Sequence, residues 1–132
     1  MGYMLDSNIC IYLLNEKSPD LLEKFYRHRG EGIYTSSIVV AELEFGIAKS
    51  AYPEKNAASL HKLSSVITVL DFDSCAAKCY GTIRADLQQR GELIGPLDML
   101  IAAHAQSADL TLVTNNTREF GRIEQLTIEN WT

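Results

Sequence analysis

The 132 residues are enough for one domain with a single core and too few for two, and 46% hydrophobic against 22% charged residues excludes a disordered chain. No apolar run reaches the ~18 residues of a membrane helix, and the N-terminus lacks the basic lead and apolar stretch of a signal peptide, so a cytoplasmic location with reduced thiols is expected. The net charge of −5 argues only weakly against nucleic-acid binding, because divalent cations in an acidic site would cancel most of it.

Strand signals fall at Tyr3-Met4-Leu5, Ile33-Tyr34-Thr35, Val66-Ile67-Thr68-Val69-Leu70 and Leu110-Thr111-Leu112-Val113, with a weaker one at Leu126-Thr127-Ile128. Helical patterns occupy 7–15, 18–29, 37–51, 53–65, 73–91 and 97–108. The punctuation agrees: Ser18-Pro19 offers an N-cap and a first-turn proline, Pro53 opens a helix, Gly91 closes a long one, and Gly95-Pro96 starts the next. No repeat, linker or low-complexity segment interrupts the order. Strands alternating with helices predict one α/β domain over 1–132, a three-layer α/β/α sandwich around a four- to five-stranded, mainly parallel sheet. In such folds the working site lies beyond the carboxyl ends of the strands. Asp6 follows the first strand and Thr114-Asn115-Asn116 the fourth, so both are expected on that edge.

Three carboxylates stand among core-type residues. Asp6 follows Tyr3-Met4-Leu5, Glu42 interrupts Ile38-Val39-Val40-Ala41, and Asp98 opens Met99-Leu100-Ile101-Ala102-Ala103. Each has a bland reading: Asp6 as a helix N-cap, Glu42 as half of an ion pair, Asp98 as a charge favoured by a helix N-terminus. Those readings explain exposed acids better than these. Glu42 lies with Ile38 and Phe45 at helical spacing, so it is expected within an apolar stripe, and Asp98 shares a face with Ile101, Ala102 and Ala105. Buried carboxylates cost several kcal/mol unless paired, protonated or metal-bound. Converging, the three would hold a hard divalent cation.

The donor set selects Mg²⁺, or Mn²⁺, over zinc, because no His or Cys is suitably spaced. Such sites serve phosphoryl chemistry. His104, six residues past Asp98, faces away from it and is expected to pack between helices; His28 is expected in solvent, and His61 carries no signal. Cys10, Cys75 and Cys79 lack metal spacing, and the last two suit a packed helix face. There is no phosphate-cradling glycine loop and no nucleophile elbow.

Met4-Leu5-Asp6-Ser7-Asn8, Thr35-Ser36-Ser37 leading to Ala41-Glu42-Leu43, Gly95-Pro96-Leu97-Asp98 and Thr114-Asn115-Asn116-Thr117-Arg118-Glu119-Phe120 together resemble a PIN domain, and within it the VapC toxins of bacterial VapBC toxin–antitoxin modules. The likeness runs over the whole chain to Asn130-Trp131. It implies a magnesium-dependent endoribonuclease restrained by a VapB antitoxin, a homodimer within that assembly, and, from the enteric-type toxins, initiator tRNA cut in the anticodon loop. Asp6, Glu42 and Asp98 match the family's acidic metal positions, and Thr114 a hydroxyl that lines the site. Ser7 replaces a commoner threonine. Asn116 stands where many PIN domains carry a fourth aspartate, with Glu119 as its possible substitute.

Arg84, Arg90, Arg118 and Lys49 are candidates for phosphate contact, and Tyr12, Phe45 and Tyr80 for base stacking, against the plainer readings of surface charge and core aromatic. Three rivals remain. A phosphatase with Asp6 as nucleophile would want an aspartate at Asn8; a phosphoacceptor receiver domain would want a lysine near Thr114-Asn115-Asn116. A catalytically weak PIN domain that only binds RNA or protein is the alternative that Asn116 favours.

Overall fold

The computed structural model describes residues 2–132. Five strands, β1 (Tyr3–Leu5), β2 (Ile33–Ser36), β3 (Thr68–Leu70), β4 (Thr111–Val113) and β5 (Ile128–Glu129), form one sheet in the order β3-β2-β1-β4-β5, and every pairing is parallel. Seven helices connect them: α1 (Ser7–Asn15), α2 (Pro19–His28), α3 (Ser37–Ala48), α4 (Pro53–Ser64), α5 (Ser74–Gln89), α6 (Pro96–Ser107) and α7 (Thr117–Phe120). The chain steps from β1 to β3 in one direction and returns past β1 to β4. Right-handed crossovers therefore put α1–α4 on one face and α5–α6 on the other. This is the three-layer sandwich expected from the sequence. The order reverses between β1 and β4, where such folds open a crevice at their carboxyl ends.

Both central strands are buried on two faces, which is why they read as continuous apolar runs rather than alternating ones. Met4, Leu5, Leu112 and Val113 are wholly inaccessible. Leu5 pairs with Thr35 on one side and Val113 on the other, so Asp6, Ser36 and Thr114 form a row one residue beyond them. Asp6 N–H donates to the Val113 carbonyl at 3.1 Å, and Thr114 N–H to that of Glu129 at 2.9 Å. The row that carries the first acid is thus hydrogen-bonded into the sheet.

Several predicted boundaries shift for local reasons. Val66 and Ile67 finish the α4 turn instead of starting β3, since their N–H groups bond to the Leu63 carbonyl at 3.0 and 3.3 Å. Leu126 N–H turns back to Ile123 at 3.3 Å, which delays β5 to Ile128. The Ser18 hydroxyl caps α2 at the Leu21 amide as its sequence promised. Gly91 ends the turn after α5 at φ 69°, a left-handed conformation that favours glycine.

Three side-chain expectations are overturned. Phe45 is 66% exposed, because the buried face of α3 runs through Val39 and Leu43, so Glu42 flanks the core and is not inside an apolar stripe. Cys75 is exposed and only Cys79 packs partly. His28 is not free in solvent: its ring stacks on Trp131 at 5.0 Å with 17° between planes, and its Nδ1 meets Glu31.

Candidate active site at the sheet's carboxyl edge

Asp6 caps α1, its Oδ1 accepting from the Ile9 amide at 2.9 Å, yet it is only 4% exposed. Capping and a site role therefore coexist. Burial pushes its carboxyl above the usual range; hydrogen bonds from the Thr114 hydroxyl and the Ile9 amide pull it back, and the charge of Glu42 adds to the rise. Glu42 reaches the same place from α3, fixed by the Ser7 hydroxyl, which donates to its Oε1 at 2.6 Å. The Asp6-Ser7 pair thus supplies one acid and orients a second.

Asp98 enters from the first turn of α6. Burial, and then the charges of Glu119, Glu42 and Asp6 in falling order, push its pKa up to about 6. Three acids therefore act on Asp98. On the fourth side, the Thr114 hydroxyl accepts from the Asn116 amide at 2.9 Å, and the Asn116 side-chain amide donates to Glu119 Oε2 at 3.1 Å. Asn116 here orients an acid in place of being one.

A small pocket of about 90 Å³ lies among Asp6, Ser7, Asn8, Glu42, Asp98 and Asn116, with Phe120 as an apolar wall. No basic side chain lines it. Of the residues singled out from sequence, Asp6, Glu42, Asp98, Ser7 and Asn116 converge directly. Glu119 is reached through Asn116, and Thr114 lies under Asp6. Asn8 and Phe120 were missed. Asn8 was visible beside Asp6, whereas Phe120 depends on the four-residue α7, too short to show a period.

Among the described residues no three acid, thiol or imidazole groups close into a tight metal cage. The carboxylates instead ring an open pocket, with one oxygen each of Asp6 and Glu42 used in orienting bonds. Hard oxygen donors whose charges raise the pKa of Asp6 and Asp98, with no basic side chain lining the pocket, have the chemistry that a divalent ion relieves. The donor set fits Mg²⁺ or Mn²⁺.

Three of the four candidate phosphate-binding bases stand elsewhere. Arg90 pairs with Asp86 and Glu92 and donates to the Arg122 carbonyl, a staple between chain segments. Arg84 donates to the Tyr80 hydroxyl at 2.9 Å, and Lys49 sits over the Phe45 ring at 5.0 Å. Arg118 is exposed on α7, beside the site.

A model of the PIN domain matches residues 3–126. Ribonuclease VapC2 of Haemophilus influenzae is 46% identical over 131 residues, covering 99% of this chain and 98% of that protein. The chain belongs to the PIN-domain family, in its VapC branch. A tRNA(fMet)-specific endonuclease VapC of Shigella flexneri is 44% identical over the same length and shares of the two chains. Among solved structures, VapBC2 from Rickettsia felis bound to a promoter DNA fragment superposes with a TM-score of 0.96 at 41% identity and full coverage of both chains. DNA-bound VapBC from Salmonella typhimurium gives 0.95 at 42% identity, covering 100% and 99%. The VapC fold accounts for every layer described above. No helix among the described residues is long and apolar enough to cross a membrane.

Proposed function

We propose that this VapC-branch PIN domain is the ribonuclease toxin of a VapBC-type toxin–antitoxin module, a metal-dependent endonuclease acting on RNA phosphodiesters. The observation that carries the reading is the convergence of Asp6, Glu42 and Asp98 on one pocket at the sheet's switch point. Asp6, Glu42 and Asp98 would hold Mg²⁺, with Mn²⁺ as a substitute. When bound, the ion supplies Lewis acidity at the scissile phosphate and lowers the pKa of a water at neutral pH.

The chain's own residues do the rest. Ser7 aims Glu42, and hydrogen bonds from the Thr114 hydroxyl and α1 amides offset part of the rise that burial imposes on Asp6. Asn116 turns Glu119 toward Asp98, so the fourth acid acts from α7. Phe120 excludes water from one side. Deprotonated, the four acids repel a polyanion, so substrate phosphate can approach only when cations neutralise them.

Initiator tRNA is the substrate this reading favours, by analogy with relatives of the Shigella flexneri type. The partner is a VapB-type antitoxin. Two grooves of about 260 Å³ each suit it, one between α1, α2 and α4 (Leu22, Phe25, Val66), the other between α1, α3 and α4 (Ile11, Ile47). They share Leu14 and Ser59, and the second ends at Glu42. An apolar segment lying there would deliver a basic side chain to the acids. A second copy of the chain would cover the exposed Phe45 and Tyr52, and hydrodynamic mass at micromolar concentration tests this: a monomer alone counts against it.

The deciding experiment incubates purified total tRNA with the protein and Mg²⁺, with Asp98→Asn and EDTA as controls. Discrete fragments lost in both controls support the reading, and end-mapping names the substrate. Asp98→Asn cutting at the wild-type rate, with ordinary metal dependence, overturns the assignment of the site.

A further inference from the structure

His104 and Ser36 form a buried pair outside the acidic pocket. His104 is 3% exposed and Ser36 fully inaccessible, and Nδ1 lies 2.7 Å from Ser36 Oγ across 68 residues of sequence. Ser36 ends β2 and caps α3, its Oγ accepting from the Ile38 amide at 3.0 Å. That contact leaves the hydroxyl proton and a second lone pair free, so Ser36 can bond His104 Nδ1 in either ring tautomer. Burial, which lowers the His104 pKa against the raising effect of Asp73 and Asp71, favours the neutral imidazole.

The surroundings explain why such a bond matters. Helix α6 is buried through Met99, Ile101, Ala102, Ala103 and Ala105. Its three alanines present a smooth surface that excludes water but fixes register poorly. One directed hydrogen bond in that setting supplies the register. It also falls at equal reach from two acids. Glu42 lies six residues beyond Ser36 on α3, and Asp98 six residues before His104 on α6, each an arm of about 9 Å of rigid helix. The two helices belong to opposite layers, and they touch each other and β2.

We infer that His104 is a positioning residue: its hydrogen bond to Ser36 pins α6 to the cap of α3 and so sets the separation of Asp98 and Glu42 across the cation pocket. The inference rests on the metal-site reading above.

The test measures Mn²⁺ binding by the full chain without RNA, following free Mn²⁺ by electron paramagnetic resonance, with circular dichroism to confirm folding. His104→Leu keeps the bulk and loses the bond; it should weaken Mn²⁺ binding about tenfold, the low end for residues that orient metal ligands. His104→Asn, whose amide oxygen can accept from Ser36, should recover affinity to within about threefold of wild type on the same scale. Ser36→Ala should weaken binding alike, and the double variant no further. A role in stability alone would lower the melting temperature of His104→Leu and leave Mn²⁺ affinity unchanged. That result, or independent losses from Ser36→Ala and His104→Leu, overturns the inference. If His104→Leu does not fold, the Asn variant and Ser36→Ala decide: wild-type affinity in Ser36→Ala sinks it. Wild-type protein that binds no Mn²⁺ removes the metal site and this inference together, whereas tight wild-type binding with an unaffected His104→Leu removes only the latter.

Discussion

Asn116 occupies a position where an aspartate would add a fifth negative charge beside Asp98 and Glu119. Its amide instead donates to Glu119 Oε2 at 3.1 Å while its backbone is held by Thr114. In the proposed site the fourth charge would be carried three residues later, on a short helix whose start Asn116 defines. If Glu119 contributes by charge, Glu119→Gln should slow RNA cleavage by roughly tenfold and lower the Asp98 pKa, since Glu119 is the largest charge acting on it. Asn116→Ala, which frees the carboxylate without neutralising it, should give a smaller loss that added Mg²⁺ partly restores. Cleavage rates at several Mg²⁺ concentrations separate the two, and a Glu119→Gln variant of undiminished activity removes that residue from the site. The sequence showed both residues but not their division of labour. That depends on α7, whose four residues leave no periodic trace.

At the scale of elements, β5 is two residues long and would be marginal without help. Trp131 supplies it. The indole is 2% exposed, its ring packs against Tyr3 and His28, each at 5.0 Å, and Nε1 donates to Glu129 Oε1 at 3.0 Å. Because the Glu129 carbonyl accepts from the Thr114 amide, this anchor reaches the row that carries Asp6. Trp131→Ala should cost about 3–5 kcal/mol, a large share of the ~5–15 kcal/mol typical of a domain, and urea unfolding would read it. A loss under ~1 kcal/mol would mean that the terminal segment is not holding β5. The strands and most helices were legible because strand-length apolar runs alternated with capped helical patterns. Contacts between distant segments were not. His28 sits in a charged tripeptide, which gave no hint that Trp131 would cover it. Phe45 misled in the opposite sense: helical spacing named a stripe, but only tertiary packing decides that α3 buries Val39 and Leu43.

For the whole molecule, the proposed cation site would couple folding, pH and ion binding. In the metal-free protein Asp98 titrates near 6, above its usual 3.8, so the folded state holds a proton more firmly than the unfolded chain does. A raised acid contributes stability that is fully present below the unfolded pKa and is lost as pH rises through the folded one. The window runs from about pH 4 to 7. With allowance for its partial solvation, the loss is ~1–2 kcal/mol, and the raised Asp6 acts in the same direction. His104 opposes it. Its lowered pKa gives stability that is present above its unfolded value and lost as pH falls. The measurement must therefore be a difference: urea unfolding in EDTA at pH 5 and 7.5, wild type against Asp98→Asn. Wild type should lose up to ~1 kcal/mol more than the variant on going to pH 7.5, the share of the window that lies above pH 5. Saturating Mg²⁺ should then reverse the trend, since the ion binds the deprotonated acids; at one hundred times its Kd it adds about 2.7 kcal/mol. Identical pH responses in wild type and variant, with or without Mg²⁺, would mean that Asp98 does not share a charged pocket in solution. A response that appears only without the ion would tie the cost of gathering four acids in this fold to the cation that they are gathered to hold.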